Sequence, residues 1–122
     1  MNINFDSEKP IFLQIADLIS DAILSGAFDE ESQIPSITEF SVNYKINPAT
    51  ALKGINILVD SGIVYKKRGL GMFVATGAVE KLREKRKDEF FDTYIASLIA
   101  EAKRLKLTET EIKSMIERGF KQ

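Results

Sequence analysis

The spacing of apolar residues at the start of the chain predicts an amphipathic helix. Between Pro10 and Ser25 apolar residues recur every three or four positions, which is the period of an α-helix. Gly26 is the expected end of this helix, because glycine readily takes the left-handed conformation found after helix C-termini. We expect the apolar stripe to pack into a core and residues 1–9 to form an arm that is mobile until near Pro10.

Residues 36–62 predict two short helices joined by a tight turn. Ser36 and Glu39 form an S-x-x-E capping box, so the first of these helices is expected to begin directly after Ser36. Asn47 followed by Pro48 supplies an N-cap and a proline at the first helical position, which predicts the start of the second helix. The turn between the helices is about the length found in a helix-turn-helix motif.

The second helix of this pair is expected to bury one stripe and to end at Gly62. Its predicted apolar stripe consists of Leu52, Ile55, Leu58 and Val59. Two β-prone runs follow, at 63–67 and 72–76, around a glycine-containing tip, and together they predict a β-hairpin. Ser32–Pro35 is expected to add a short strand to the same sheet.

This order of elements indicates a protein that binds DNA. Helix N-termini bind phosphate, and recognition helices present their N-terminal residues to base edges in the major groove. An ordinary capped helix with a solvated polar face is the alternative, but the basic hairpin that follows favours DNA. The residues expected to contact DNA are Ser36, Thr38, Lys45, Asn47, Pro48, Ala49, Thr50, Lys53, Lys66, Lys67, Arg68, Gly69 and Gly71.

The distribution of charge supports this interpretation, although the net charge is −1. From Lys45 to Arg68 there are five basic residues against one acidic residue, and a local patch rather than the overall charge sets the electrostatic footprint. The acidic run at 29–31 is expected to be a solvated turn. The basic run at 81–87 is expected to be a solvated helix face, with contact to backbone phosphates as the alternative.

The last part of the chain predicts two amphipathic helices that cannot bury their apolar stripes on themselves. Residues 79–107 contain no glycine or proline, and a second capping box, Thr108 with Glu111, begins a last helix. The stripes could pack on the first domain, on a second copy of the chain or on a bound ligand. We expect a second copy, since a protein with one recognition helix gains affinity by pairing two half-sites. The residues expected to form this dimer are Phe91, Tyr94, Ile95, Leu98, Ile99, Ala102, Ile112, Met115 and Ile116.

Composition argues against several other classes of protein. The chain has no cysteine and no histidine, so it lacks the usual ligands of structural zinc and the commonest general base. No apolar run approaches the roughly 20 residues of a membrane span, and the first ten residues do not resemble a signal peptide. We therefore expect a cytoplasmic protein that is not an enzyme and that needs no cofactor or metal.

Five motifs in residues 10–74 resemble the winged helix-turn-helix domain of the GntR family of bacterial transcription regulators. They occur in the family's order and spacing, at Pro10–Ile15, Ile23–Gly26, Ile34–Ser36, Ile46–Thr50 and Gly62–Val74. The Asn-Pro-x-Thr form with Lys53 resembles the YtrA subfamily in particular. So does a C-terminal part that is too short for a ligand-binding domain.

The resemblance implies a fold that is mostly α with a small β-hairpin. A winged helix-turn-helix domain would occupy residues 1–76, and a two-helix dimerisation appendage would occupy residues 77–122. The implied function is sequence-specific transcriptional regulation, with a repressor that binds a pseudo-palindromic operator as a homodimer. The alternative is a winged-helix module that binds protein or RNA.

Two positions depart from the family pattern. Thr38 stands where the family usually has an arginine that contacts DNA, so one positive contact is missing. Gly54 stands where the family usually has alanine, in the middle of a predicted helix, and is expected to cost up to about 1 kcal/mol of helix stability. Close packing against the first helix would be a physical use for this glycine.

Overall fold

The computed structural model describes residues 3–122, which form six α-helices and a two-stranded antiparallel sheet. The predicted fold class, mostly helical with one hairpin, is confirmed. The elements are α1 (Ile11–Ser25), α2 (Ile37–Tyr44), α3 (Pro48–Asp60), β1 (Val64–Lys67), β2 (Gly71–Val74), α4 (Ala78–Phe90), α5 (Ala96–Arg104) and α6 (Glu109–Phe120). A π-helical stretch, Phe91–Ile95, joins α4 to α5.

Contacts divide the chain into two compact units between Glu84 and Lys85. We term the described residues up to Glu84 the N-terminal unit and residues 85–122 the tail. The predicted boundary lay after Thr76. The first turns of α4 belong with the N-terminal unit because Ala78 and Leu82 are buried in its core.

Helix α1 forms the centre of the N-terminal unit. Ile15, Ile19 and Ile23 face one direction along it and are at most 1% exposed. The helix ends at Gly26, whose φ of 86° is the left-handed conformation expected after a helix.

Both predicted helix starts in the helix-turn-helix are confirmed. Ser36 Oγ accepts a hydrogen bond from the Glu39 N–H at 3.1 Å, and the Ser36 N–H donates to Glu39 Oε1 at 3.1 Å. Asn47 Oδ1 accepts from the Ala49 N–H at 2.8 Å and so caps α3. Lys45 makes the turn between the helices at a φ of 54°.

The predicted apolar stripe of α3 is wrong at Leu52. The buried residues of this helix are Ala51, Gly54, Ile55 and Leu58, whereas Leu52 is 40% exposed. The reason is close packing at Gly54, where a Cβ atom would lie 2.6 Å from the Phe12 carbonyl oxygen of α1. The small residues of α3 therefore face α1, and the expected use of Gly54 in helix packing is confirmed.

The segment before α2 adds an edge to the hairpin, as predicted. β1 pairs with β2 in the register that places Val64 opposite Val74. Gln33 forms an isolated bridge with Phe73, and the Ile34 N–H donates to the Met72 carbonyl at 2.9 Å.

The N-terminal arm, which we expected to be mobile, makes specific contacts with α1 over residues 3–9. The Asn4 N–H donates to Gln14 Oε1 at 2.7 Å, and Gln14 Nε2 donates to the carbonyls of Asn4 and Lys9 at 2.8 and 2.9 Å. Ile3 packs against the core. The arm is held because Gln14 offers both a donor and an acceptor. Residues 1 and 2 of the predicted arm lie outside the described residues.

The acidic run at 29–31 is not merely a solvated turn, because two of its carboxylates are bound by distant parts of the chain. Glu31 accepts from the Tyr65 hydroxyl at 2.5 Å and from both the N–H and the hydroxyl of Thr76 at 2.9 Å. These bonds, led by the one from Tyr65, lower the pKa of Glu31 below its ordinary value.

Glu30 binds the start of α4. Its carboxylate accepts from the N–H groups of Gly77 and Val79 at 2.9 and 3.0 Å. The bond from Gly77 is the main reason that the pKa of Glu30 is lowered. A carboxylate from a distant loop thus satisfies N–H groups at the start of α4 that have no partner within the helix.

The tail has regular helices but leaves most of its large apolar residues uncovered. Thr108 and Glu111 form the predicted capping box of α6, and Ala102 is the buried residue of α5. Most of the large apolar residues of the tail are exposed, by between 36% for Leu98 and 88% for Phe120, whereas Ile95, Leu107 and Ile112 are half-buried. The π-helical stretch was not predicted, and it changes the phase of the apolar stripe because it has more residues per turn than an α-helix.

Candidate nucleic-acid interface

A cleft of about 440 Å³ lies between the start of α2, the outer face of α3 and the hairpin. All of the lining residues belong to the N-terminal unit. They are Gln33, Ile34, Ser36, Ile37, Thr38, Leu52, Asn56, Lys66, Leu70, Gly71 and Met72.

Four of the predicted DNA contacts line this cleft, namely Ser36, Thr38, Lys66 and Gly71. They come from three separate elements, which the fold brings to one surface. Polar side chains and one ammonium group therefore line the cleft together with apolar side chains such as Leu52 and Leu70, which suits a ligand with both anionic and apolar parts.

The predicted contacts around the start of α3 lie outside the cleft. Asn47, Pro48 and Ala49 are exposed at the N-terminus of the helix, and Thr50 is half-buried. Lys45 is exposed in the preceding turn. The exposed N-terminal turn of α3 is the part of this helix that a groove could receive.

Lys53 is directed toward α1 rather than into the cleft. Its Nζ atom lies 4.0 Å from the centre of the Phe12 ring, which is a cation–π contact. Such a contact at an exposed site is worth about 0.5–1 kcal/mol, so a phosphate could still compete for this ammonium group.

The two lysines of β1 lie on opposite faces of the hairpin. Lys66 is paired with Met72 and faces the cleft. Lys67 lies on the other face, with its Nζ atom 4.3 Å from the centre of the Phe73 ring. The sequence grouped these lysines together, but strand alternation separates them.

The tip of the hairpin is a glycine-dependent turn. The Leu70 N–H donates to the Lys67 carbonyl at 2.9 Å, and Gly69 takes a φ of 78° at the position where a type II turn requires a positive φ. Arg68 and Leu70 are exposed on either side of Gly69.

Two polar residues of the cleft, Asn56 and Gln33, were not predicted from the sequence. Asn56 follows Leu52 by one helical turn, so placing Leu52 in the buried stripe hid the exposed face that the two residues share. Gln33 reaches the hairpin only through the fold, and no local signal in the sequence marks it.

The described residues offer no metal site and no membrane-spanning helix. Within residues 3–122, no group of three or more His, Cys, Asp or Glu side chains could hold a metal ion. No helix in that range is long and apolar enough to cross a membrane.

Comparison with known families identifies the domain that carries the cleft. Residues 12–74 match the model of bacterial regulatory proteins of the gntR family. The chain belongs to the GntR family. This finding confirms the resemblance noted in the sequence and identifies the chain as a regulator rather than an enzyme.

Two relatives illustrate the range of the family. The chain is 33% identical to the transcriptional regulator YhcF of Bacillus subtilis over 114 residues, which cover 92% of this chain and 91% of YhcF. It is 31% identical to the transcriptional repressor NagR of Bacillus subtilis over 81 residues, or 66% of this chain. That match spans only 33% of NagR.

Three solved structures are similar to the chain. A GntR-family transcriptional regulator from Bacteroides thetaiotaomicron matches with a TM-score of 0.74 and 35% identity, over 91% of this chain and 96% of the other. YtrA from Sulfolobus acidocaldarius matches with a TM-score of 0.57 and 27% identity, over 99% and 97%. The DNA-binding domain of AraR in complex with an operator matches with a TM-score of 0.55 and 28% identity, over 62% and 90%.

Proposed function

We propose that this regulator represses transcription by binding a pseudo-palindromic operator as a homodimer. The observation that carries the proposal is the cleft, where the start of α2, the outer face of α3 and Lys66 of the hairpin meet. The similar AraR domain is known in complex with an operator, and NagR is a repressor. A protein that binds chromosomal operators would act in the cytoplasm.

In the proposed complex the N-terminal turn of α3 enters the major groove. Asn47, Pro48, Ala49 and Thr50 would lie closest to the base edges, and Lys53 would leave Phe12 for a phosphate. Ser36 and Thr38 at the start of α2, and Lys45 at its end, would contact the DNA backbone beside the groove.

The hairpin would contact the adjoining DNA backbone and minor groove. Lys66 faces the same cleft as α3, so it is the lysine of β1 that we expect to approach a phosphate most closely. Arg68 would add a second charge at the tip, and Gly69 and Gly71 would let the backbone approach the DNA closely. Lys67 would contribute less because its ammonium group lies over Phe73.

The tail would supply the dimer, and the dimer would supply most of the affinity. Phe91, Tyr94, Leu98 and Ile99 are all exposed in the tail, and exposed apolar patches often mark surfaces that bind another protein. Joining two N-terminal units makes binding of the second half-site intramolecular, which can raise the overall affinity by orders of magnitude. We propose that this assembly blocks a promoter sterically.

The tail contains an apolar cavity that is smaller than the cleft of the N-terminal unit. It measures about 270 Å³ and lies between α5 and α6, where Ala102, Ile112, Met115 and Ile116 help to line it. We propose that a partner tail fills this cavity, because the exposed apolar surface continues beyond it along the helices. A small apolar effector would be a competing occupant.

Selection of bound fragments from a random duplex library, at fixed salt, tests the proposal. The full-length protein should enrich a pseudo-palindrome, and duplex RNA should compete poorly. Enrichment of no DNA sequence, or stronger binding to RNA, would favour a winged-helix module with another partner.

Two matched variants of the hairpin then test which of its two faces contacts the DNA. Lys66→Ala should weaken binding to the selected duplex and to unrelated duplexes alike. The slope of log K, the binding constant, against log salt concentration should also become less steep by about 1 for each phosphate that the protein no longer neutralises. Lys67→Ala is the control and should change the slope less. A larger effect from Lys67→Ala would mean that the opposite face of the hairpin meets the DNA.

A further inference from the structure

Gln33 joins the segment before α2 to the tip of the hairpin. Its Nε2 atom donates to the Leu70 carbonyl at 2.7 Å, although the two residues are 37 positions apart in sequence. Because a carbonyl can only accept, this contact requires the amide nitrogen of Gln33 to point toward the tip.

The backbone ladder between this segment and β2 stops before the tip. Its last bond is the one from the Ile34 N–H to the Met72 carbonyl, at 2.9 Å. In an antiparallel ladder the bonded pairs recur at every second residue. The next bond would therefore join the Ser36 N–H to the Leu70 carbonyl.

The Ser36 N–H is used elsewhere, because it donates to Glu39 Oε1 at 3.1 Å in the capping box of α2. Because the Ser36 N–H is used to cap α2, it does not donate a hydrogen bond to the Leu70 carbonyl. The side chain of Gln33 supplies a donor in its place.

Gly71 provides the space for this contact. A Cβ atom at Gly71 would lie 2.6 Å from Gln33 Nε2, and the residue has a φ of 123°. Both the conformation and the close approach of the amide therefore favour glycine at this position.

We propose that Gln33 is a positioning residue that orients the hairpin tip before DNA binds. This inference rests on the proposed function, since it assumes that the tip contacts DNA. The bond from the Leu70 N–H to the Lys67 carbonyl shapes the turn, but it does not fix the direction of the turn relative to α2 and α3. Gln33 supplies that second restraint, and ordering the tip in advance lowers the entropy lost on binding.

The first test measures the tip in the free, full-length protein. Gln33→Met keeps the length of the side chain but has no donor, and Gln33→Lys restores a donor. Backbone ¹⁵N relaxation should show the order parameters of Gly69, Leu70 and Gly71 falling to below about 0.6 in the methionine variant. They should recover in the lysine variant while the amides of α3 stay unchanged. A tip that remains as ordered in Gln33→Met as in the wild type would overturn the proposal.

The second test measures binding to the duplex that the wild type selects from the random library. Loss of a hydrogen bond worth about 1 kcal/mol corresponds to a decrease of about 3- to 10-fold in affinity for Gln33→Met. The same change made together with Arg68→Ala and Leu70→Ala should cause little further decrease, because the tip side chains that it would position are already removed. An equal decrease in both backgrounds would show that Gln33 acts on DNA directly, and would overturn the positioning role.

The two tests separate this inference from the function on which it rests. If the wild type binds no DNA, the proposed function fails, and the relaxation measurement still decides whether Gln33 orders the tip. If the wild type binds its duplex and the tip is unaffected by Gln33→Met, only the positioning role fails.

Discussion

The N-terminal unit buries most of its large apolar residues, whereas the tail leaves most of its large apolar residues exposed. In the N-terminal unit, Ile15, Ile19 and Ile23 are at most 1% exposed, and Gly54 lets two helices approach closely. In the tail, Leu98 and Ile99 are 36% and 40% exposed. The first unit thus completes its core within one chain, whereas the tail presents a surface that another molecule would have to cover.

The polar contacts differ in the same direction. Glu30 and Glu31 bind residues more than 40 positions away in sequence. The ion pairs described within α5 and α6 are local, as between Glu101 and Arg104, and exposed pairs of this kind contribute at most about 1 kcal/mol. Long-range polar bonds thus connect distant parts of the N-terminal unit, whereas the ion pairs described in the tail join residues within one or two helical turns.

The largest expected effect follows from placing a charge on the apolar face of the tail. Leu98→Glu should dissociate the proposed dimer, because burying a leucine contributes about 1.5–3 kcal/mol and a symmetric interface contains the residue twice. Operator affinity should fall with dimer stability. Analytical ultracentrifugation and DNA titration measure the two quantities.

Lys103→Glu is the matched control for this variant. It introduces the same residue into α5 at a position that is already polar and exposed, and it should leave most of the dimer intact. If both variants dissociated to the same extent, Leu98 would not be part of the dimer interface.

A second comparison uses two helical glycines, one from each unit. Gly54→Ala should lower the free energy of unfolding by about 1–2 kcal/mol, because overpacking against Phe12 and Ile15 exceeds the gain in helix propensity. Gly119→Ala should raise stability by up to about 1 kcal/mol, since the added methyl group meets no atom within 4 Å beyond its chain neighbours and the adjacent backbone of its own helix. Chemical denaturation provides both values, and a stabilising Gly54→Ala would contradict the close packing of α1 on α3.

The smallest expected effect concerns acid. The pKa of Glu31 is lowered from its ordinary value of 4.5, chiefly by the Tyr65 hydroxyl. The folded state therefore binds fewer protons than the unfolded state near this pH. The stabilisation of the fold by ionised Glu31 is complete above pH 4.5, and it is lost as the pH falls through the lowered pKa. Thermal unfolding between about pH 7 and pH 3 should be less acid-dependent in Glu31→Gln and in Tyr65→Phe than in the wild type. An unchanged pH profile in both variants would mean that this contact contributes little to the fold.

Local signals in the sequence predicted most of the fold. The capping boxes at Ser36 and Thr108 place every interaction within one helical turn, so the residues alone identify the helix starts. The family motifs identified the domain for a similar reason, because turns and caps recur at fixed spacing.

The sequence failed where an interaction joins distant positions. The carboxylate of Glu31 looked solvated because Tyr65 and Thr76 reach it only through the fold. Leu52 was placed on the buried stripe because side-chain size gave no sign that α3 packs through its small residues. The misplacement of Leu52 also hid Asn56 on the same face of α3, and Gln33 was missed because it reaches the hairpin only through the fold.

We propose that the N-terminal unit is complete within one chain and that the tail makes the dimer. Sedimentation equilibrium of the full chain and of a fragment ending at Glu84 distinguishes these two roles. The cut is placed after Glu84 because an earlier one, near Gly77, would remove Ala78 and Leu82 from the core. We expect a dimer for the full chain and a folded monomer for the fragment. A fragment that still sediments as a dimer, or a full chain that remains monomeric at micromolar concentration, would contradict the proposal.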